Sequence, residues 1–145
     1  MIYTPLTKRA MKIAFDVHRE QVDKSGLPYV FHPFHLAEQM QDEITTVVAL
    51  LHDVIEDTDY TLQMLREEGF GEDVLEALRL LTHSDDVKTE ADYMAYVAKI
   101  KENPVARAVK IADLEHNADL TRLPKIKDKD IMRAAKYQKA LMLLK

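Results

Sequence analysis

The 145-residue sequence has no cysteine and no tryptophan, and only 3 glycines and 5 prolines. Without cysteine there can be no disulfide, no thiolate metal site and no cysteine nucleophile, so any metal must be held by nitrogen and oxygen. No apolar run is long enough to cross a bilayer, and neither a signal peptide nor a lipidation signal is visible, which makes the cytoplasm the expected compartment and a membrane an unexpected partner. Basic stripes with interleaved aromatics are also missing, and the formal net charge is −5, so a nucleic-acid-binding surface is not expected. What is present is 47% hydrophobic residues, enough for the core of one soluble globular domain spanning residues 1–145.

Nearly every segment reads as helix, so the expected fold is all-α, a single compact helical bundle. Thr4-Pro5 pairs an N-cap with a proline at the first helical position, and Leu6, Ala10, Ile13 and Val17 recur at helical spacing until Lys24-Ser25-Gly26 breaks the chain. A loop with Pro28 and Pro33 brings His32 to the start of a short helix through Met40. Further helices are expected over Glu43 to His52, from Thr61 to Gly69, from Gly71 to Leu81 and from Thr89 to Lys101. Asn103-Pro104 opens another that runs to about Leu120, and Asp128 starts the last, with Ile131, Ala135, Leu141 and Met142 offered for burial.

The segment Leu50-Leu51-His52-Asp53-Val54-Ile55-Glu56-Asp57-Thr58 places an imidazole and three carboxylates at the end of an apolar helix. Burying those groups would cost several kcal/mol unless they are paired or bound to a cation. On a helix His52 and Glu56 are i,i+4 neighbours, as are Asp53 and Asp57 on the adjacent stripe, so all four form one patch. Adjacent residues diverge by about 100° on a regular helix, so His52 and Asp53 share an ion most easily at a helix end, which Asp57-Thr58-Asp59 suggests.

In the Asn103 helix the expected core stripe is Ala106, Val109, Asp113, Asn117 and Leu120, which puts Asp113 and Asn117 where apolar residues belong. With His32 and the His52-Asp53 pair, Asp113 completes a set of two imidazoles and two carboxylates, suited to Mn, Fe, Co or Zn with positions left for water and substrate. His18 is a further candidate for the lining. His35, His83 and His116 have no partnering motif and read as exposed or structural, and Tyr93, Tyr96 and the methionines as core or rim.

His32, His52-Asp53 and Asp113, in this order on an all-helical chain, resemble the metal-dependent HD-domain phosphohydrolases. The resemblance is closest to the hydrolase domain of the RelA/SpoT group and its stand-alone small relatives. It is carried by Lys24-Ser25-Gly26-Leu27-Pro28-Tyr29-Val30-Phe31-His32-Pro33, by Leu51 to Thr58, and by Lys110-Ile111-Ala112-Asp113-Leu114-Glu115-His116-Asn117. The resemblance implies removal of the 3′-pyrophosphate of guanosine tetra- and pentaphosphate, usually with Mn2+. It implies that His32, His52, Asp53 and Asp113 bind the metal, that Glu56 and Asp57 serve the attacking water and the leaving group, and that Lys24, Ser25 and Asn117 face the nucleotide. Nothing resembles the synthetase or regulatory domains of the long members.

Two positions depart from the family pattern. Asp23 stands where a basic residue commonly precedes the Lys-Ser-Gly turn, and Asp119 where an arginine often follows the asparagine by two positions. If both face the pocket they repel a ligand with two pyrophosphates. The expected chemistry is metal-assisted hydrolysis by water, with Glu56 or Asp57 taking the proton. The alternatives are the same metal site acting on a different nucleotide, and a metal- or nucleotide-binding module without turnover. Arg19, Lys24, Lys110 and Arg122 are the cations available to phosphates, and of these only Lys24 has motif support.

Overall fold

The computed structural model describes residues 1–145. The all-α expectation holds: the chain forms α1 (Pro5–Val17), α2 (Phe31–Glu38), α3 (Glu43–Leu51), the single turn α4 (Val54–Asp57), α5 (Leu62–Glu67), α6 (Glu72–Leu81), α7 (Glu90–Lys101), α8 (Pro104–Asn117) and α9 (Asp128–Leu144), with a 3-10 turn at Leu120–Arg122. The one β-type pairing is an isolated bridge between Val22 and Pro28. No helix is long and apolar enough to cross a membrane.

α3 is the axis of the fold. Its residues Val47, Val48, Ala49, Leu50 and Leu51 are all fully buried, as expected of a helix that is apolar on every side. α1, α2, α6 and α8 pack around it. Each fully buried leucine or valine contributes about 1.5–3 kcal/mol relative to an exposed one, and they sit in one continuous cluster of 27 buried residues. The surrounding helices are held at their starts by side-chain caps. Thr4 accepts from Thr7 N, Asp42 from Thr45 N, Thr61 from Met64 N, Thr89 from Asp92 N and Asn103 from Ala106 N. α5 closes with Gly69 at φ +98°. Gly69 N–H donates to the Arg66 carbonyl at 3.1 Å and Phe70 N–H to the Leu65 carbonyl at 3.2 Å, which satisfies the last turn and tucks Phe70 under Leu65.

Several boundaries fall elsewhere than the pattern predicts. α1 stops at Val17 rather than at Lys24, because residues 21–29 make their own hydrogen bonds: Asp23 Oδ1 accepts from Ser25 N at 2.8 Å and Leu27 N at 3.0 Å, and Tyr29 N donates to the Gln21 carbonyl at 2.9 Å. α8 ends at Asn117 instead of Leu120, since Asp119 caps the following 3-10 turn by accepting from Thr121 N. Asn117 is therefore exposed rather than part of a buried stripe. In α9 only Leu141 of the four apolar residues offered for burial is buried; Ile131 and Met142 are exposed, and the inward face is Ala140, Leu141 and Leu144 with the buried Asp130 a few turns earlier.

A candidate metal centre in a two-chambered cleft

The end of α3 delivers the histidine. His52 is its C-cap, and its Nδ1 donates to the Ala49 carbonyl at 2.7 Å. The helix breaks there, one turn earlier than Asp57-Thr58-Asp59 suggests, and restarts as α4 with Asp53 as its N-cap. That break resolves the 100° divergence of adjacent helical residues: His52 Nε2 lies 2.9 Å from Asp53 Oδ2. From α2, His32 Nε2 comes within 3.9 Å of the same oxygen. From α8, Asp113 Oδ1 lies 2.9 Å from His32 Nε2 and 3.5 Å from His52 Nε2. All four side chains predicted from the sequence to meet are thus brought together, with both imidazoles almost completely buried.

The donor chemistry fits a divalent cation. With its hydrogen on Nδ1, the neutral His52 ring turns a lone pair toward two carboxylates, and this buried Nε2 makes no aligned hydrogen bond to anything. Donor atoms of His32, His52 and Asp53 all lie within 4.8 Å of one another, and Asp113 Oδ1 sits beside both rings. Without a cation the cluster keeps a proton instead. Burial acts to lower the His52 pKa, but the charge of Asp53 and the close approach of Asp113 outweigh it and hold the ring well above the usual histidine range.

The surrounding side chains orient this set. Tyr29 donates its hydroxyl to Asp53 Oδ2, and burial together with the Asp53 charge keeps the phenol protonated. Lys110 bonds Asp113 Oδ2 at 2.9 Å while lying 5.4 Å from the Tyr96 ring and 6.0 Å from the Tyr93 ring. Burial opposes the charged form of Asp113, yet Lys110 holds this carboxyl well below its ordinary range. Asn117 Nδ2 donates to Asp113 Oδ1 at 3.0 Å. His18 lines neither chamber described below; its Nδ1 contacts Gln21 Oε1 at 2.7 Å, and Gln21 Nε2 donates to the Asp57 carbonyl at 3.2 Å, which ties α1 to α4.

His116, read from sequence as structural, was the main residue missed. Its Nδ1 lies 2.7 Å from His32 Nδ1, with the two rings nearly parallel at 6°. Burial and the neighbouring Arg122 push its pKa down to about 4, so the ring is neutral and can accept. A hydrogen from His32 Nδ1 then leaves His32 Nε2 as a free lone pair facing the cluster, the usual way a ligating histidine is oriented. The signal available was its place three residues after Asp113, on the same face of α8. His116→Ala is expected to weaken Mn2+ binding by about 10- to 100-fold; calorimetric titration measures it, and unchanged affinity would leave His116 with packing alone.

Two hollows flank the cluster. One, of about 200 Å3, is lined by His52, Asp53, Glu56, Asp57, Lys110 and Asp113. Burial raises the pKa of both Glu56 and Asp57, and the Asp53 charge raises Asp57 further. The other, of about 320 Å3, is lined by Lys24, Ser25, His32, Asn117, Arg122 and Arg133. Tyr29, Asn117 and Tyr137 border both, so they are two chambers of one cleft. Asp23 and Asp119 do line the larger chamber, and both carboxylates already have partners. Asp23 holds the 23–27 turn and lies 3.8 Å from Arg122 Nη2, while hydrogen bonds from Thr121 lower Asp119. Ser25 donates its hydroxyl to the Arg122 backbone carbonyl, and the Arg122 side chain donates through Nη1 to the His116 carbonyl at 3.0 Å.

The HD domain family matches residues 10–123. The chain belongs to the HD-domain family. It is 39% identical over 119 residues to a GTP pyrophosphokinase of Streptomyces coelicolor, covering 76% of this chain and 14% of that protein. It is 32% identical over 140 residues to the guanosine-3′,5′-bis(diphosphate) 3′-pyrophosphohydrolase of Aquifex aeolicus, covering 91% of this chain and 19% of that one. The chain therefore spans less than a fifth of the length of these curated relatives. Among solved structures, a metazoan ortholog of SpoT that hydrolyzes ppGpp superposes with a TM-score of 0.78 at 23% identity, covering 99% of this chain and 94% of that one, which shows a shared fold. The HD-domain match ends at Leu123, so Arg133 and Tyr137 of the larger chamber come from α9, beyond it.

Proposed function

We propose that this HD domain is a metal-dependent phosphohydrolase that removes the 3′-pyrophosphate of guanosine-3′,5′-bis(diphosphate), giving GDP and pyrophosphate. The observation that carries the reading is the buried His32, His52, Asp53 and Asp113 cluster at the junction of two chambers, one acidic and one bearing Lys24, Arg122 and Arg133. Its support from outside the chain is the activity named for the Aquifex relative. In this reading His32, His52, Asp53 and Asp113 hold the ion, most simply Mn2+. A bound divalent ion would lower the pKa of a water toward neutral and polarise a phosphoryl oxygen.

The remaining steps belong to the side chains. Asp57 and Glu56, both raised by burial, take the proton of the attacking water and return one to the departing oxygen. Lys110 keeps Asp113 ionised. Lys24, Arg122, Ser25 and Asn117 border the chamber that would receive the nucleoside and its 5′ phosphates. One observation favours a second substrate reading. Lys24, Arg122 and Arg133 are matched in that chamber by Asp23, Asp119 and Asp130, so its net charge is poorly suited to a distal pyrophosphate and suits a nucleotide with fewer phosphates.

Incubation of the metal-loaded protein with guanosine tetraphosphate and a nucleotide panel decides between them. Mn2+-dependent release of pyrophosphate from the tetraphosphate is expected. Inorganic phosphate from another nucleotide, with the tetraphosphate intact, would move the assignment to the second reading; binding with no turnover of any nucleotide would remove both.

A further inference from the structure

His83 lies in the loop between α6 and α7, outside the motifs that define the cleft. Its backbone N–H donates to Glu56 Oε1 at 3.2 Å, and its ring Nδ1 lies 3.3 Å from that same oxygen. Two groups of one residue thus approach one carboxylate oxygen, the backbone N–H through a hydrogen bond and the ring nitrogen at contact distance. The ring meets Tyr96 edge-on at 5.2 Å and 88°, and the Tyr96 hydroxyl donates to the Leu81 carbonyl at the root of the loop, so the imidazole is braced from both sides.

His83 also borders a third hollow, of about 440 Å3, on the side away from the metal cluster. It and Tyr96 are the residues shared between that hollow and the acidic chamber. The His83 side chain is 40% exposed against 29% for Glu56. Both side chains reach solvent, His83 somewhat more than Glu56.

We propose that His83 is the proton-relay partner of Glu56, connecting the reaction chamber to solvent through the third hollow. This rests on the phosphohydrolase reading of the cleft. The attacking water loses a proton to Glu56 as its O–H bond breaks and the carboxyl O–H forms. That carboxyl O–H breaks as the His83 Nδ1–H bond forms, making an imidazolium. The imidazolium then releases its Nε2 proton to bulk water, which leaves the remaining hydrogen on Nδ1; exchange with solvent water moves that hydrogen back to Nε2 and restores the accepting tautomer, so no other reactant is consumed. The charged and titratable groups around the pair are Asp53 and Asp57 on the Glu56 segment and Tyr96 on α7. Around the outer hollow they are Arg79, Asp86 and Lys99, with Asp92 engaged in capping α7.

The test compares His83→Ala and His83→Gln with the Mn2+-loaded parent on guanosine tetraphosphate, and reads His83 by NMR in the Mg2+-loaded protein with and without Glu56→Gln. Relay requires that both His83 variants lose about 10- to 100-fold in kcat, keep KM and metal content, and shift the pH profile. It also requires that added imidazole restores a substantial part of the rate of His83→Ala. Full activity in His83→Gln, which can hold a hydrogen bond but cannot carry a proton, would overturn it. The NMR arm needs no substrate: Glu56→Gln is expected to move the ring-nitrogen resonances of His83, and unmoved resonances overturn the link. A parent that turns over no tetraphosphate counts against the functional reading instead, and the NMR result still decides the pairing.

Discussion

Asp57→Asn is expected to lower kcat by about 10²- to 10⁴-fold while the protein stays folded and keeps its metal. Asp57 ends α4, and its side chain faces the chamber that also holds Asp53, Glu56 and Lys110. Its backbone carbonyl, not its carboxylate, accepts the bond from Gln21 that anchors α4 to α1, so the substitution removes a proton acceptor and leaves the scaffold intact. Burial and the adjacent Asp53 raise its pKa, which brings a carboxylate closer to the operating pH and makes it a better base. Initial rates of pyrophosphate release, read beside metal content by elemental analysis, measure the effect. A full rate in Asp57→Asn would transfer the proton-transfer role entirely to Glu56 and, through it, to His83.

The sequence carried the site because the chemistry is local in pattern even where it is distant in space. His52-Asp53 ends a helix whose five preceding residues are all fully buried, and polar groups at the end of such a helix need a reason. Asp113 is legible as a polar residue at a helix position that elsewhere faces the core, and His32, at the start of a short helix before Pro33, only through the company of the other three. The contacts a linear reading does not give are those set by a partner far along the chain. His116 reaches His32 across 84 positions and His83 reaches Glu56 across 27, and no helical period connects either pair. Helix ends failed for a related reason. Asp23 and Asp119 stop or redirect the chain through side-chain bonds to backbone N–H groups, and those bonds compete with helix only once the local turn has formed. The same two residues do line the larger chamber, as the sequence led one to expect; the turns they hold, and Arg122 beside Asp23, are what a linear reading does not show.

His52→Ala is expected to cost more than about 100-fold in Mn2+ affinity, beyond the loss typical of a side chain that merely orients a ligand, and to abolish turnover with it. The ring is fixed by its Nδ1 bond to Ala49, and its Nε2 is the one atom of the cluster that is buried, unsatisfied and aimed between Asp53 and Asp113. Truncation leaves those two carboxylates facing a cavity, so the metal-free variant also loses stability, by about 3–5 kcal/mol if the ring was charged. His52→Gln separates the two effects, because it fills the space and offers an amide in place of the imidazole. The same geometry sets the pH dependence. In the metal-free protein Asp53 and Asp113 hold the His52 proton well above the ordinary range, and an incoming cation must displace it. Metal affinity therefore rises with pH, by up to about tenfold per unit for each proton displaced, until the pH passes the raised pKa of the ring. In His52→Gln that slope is expected to flatten by one proton. Titration of Mn2+ into parent and variant across the neutral range gives the two slopes, and equal slopes with equal affinities would take His52 out of the metal site.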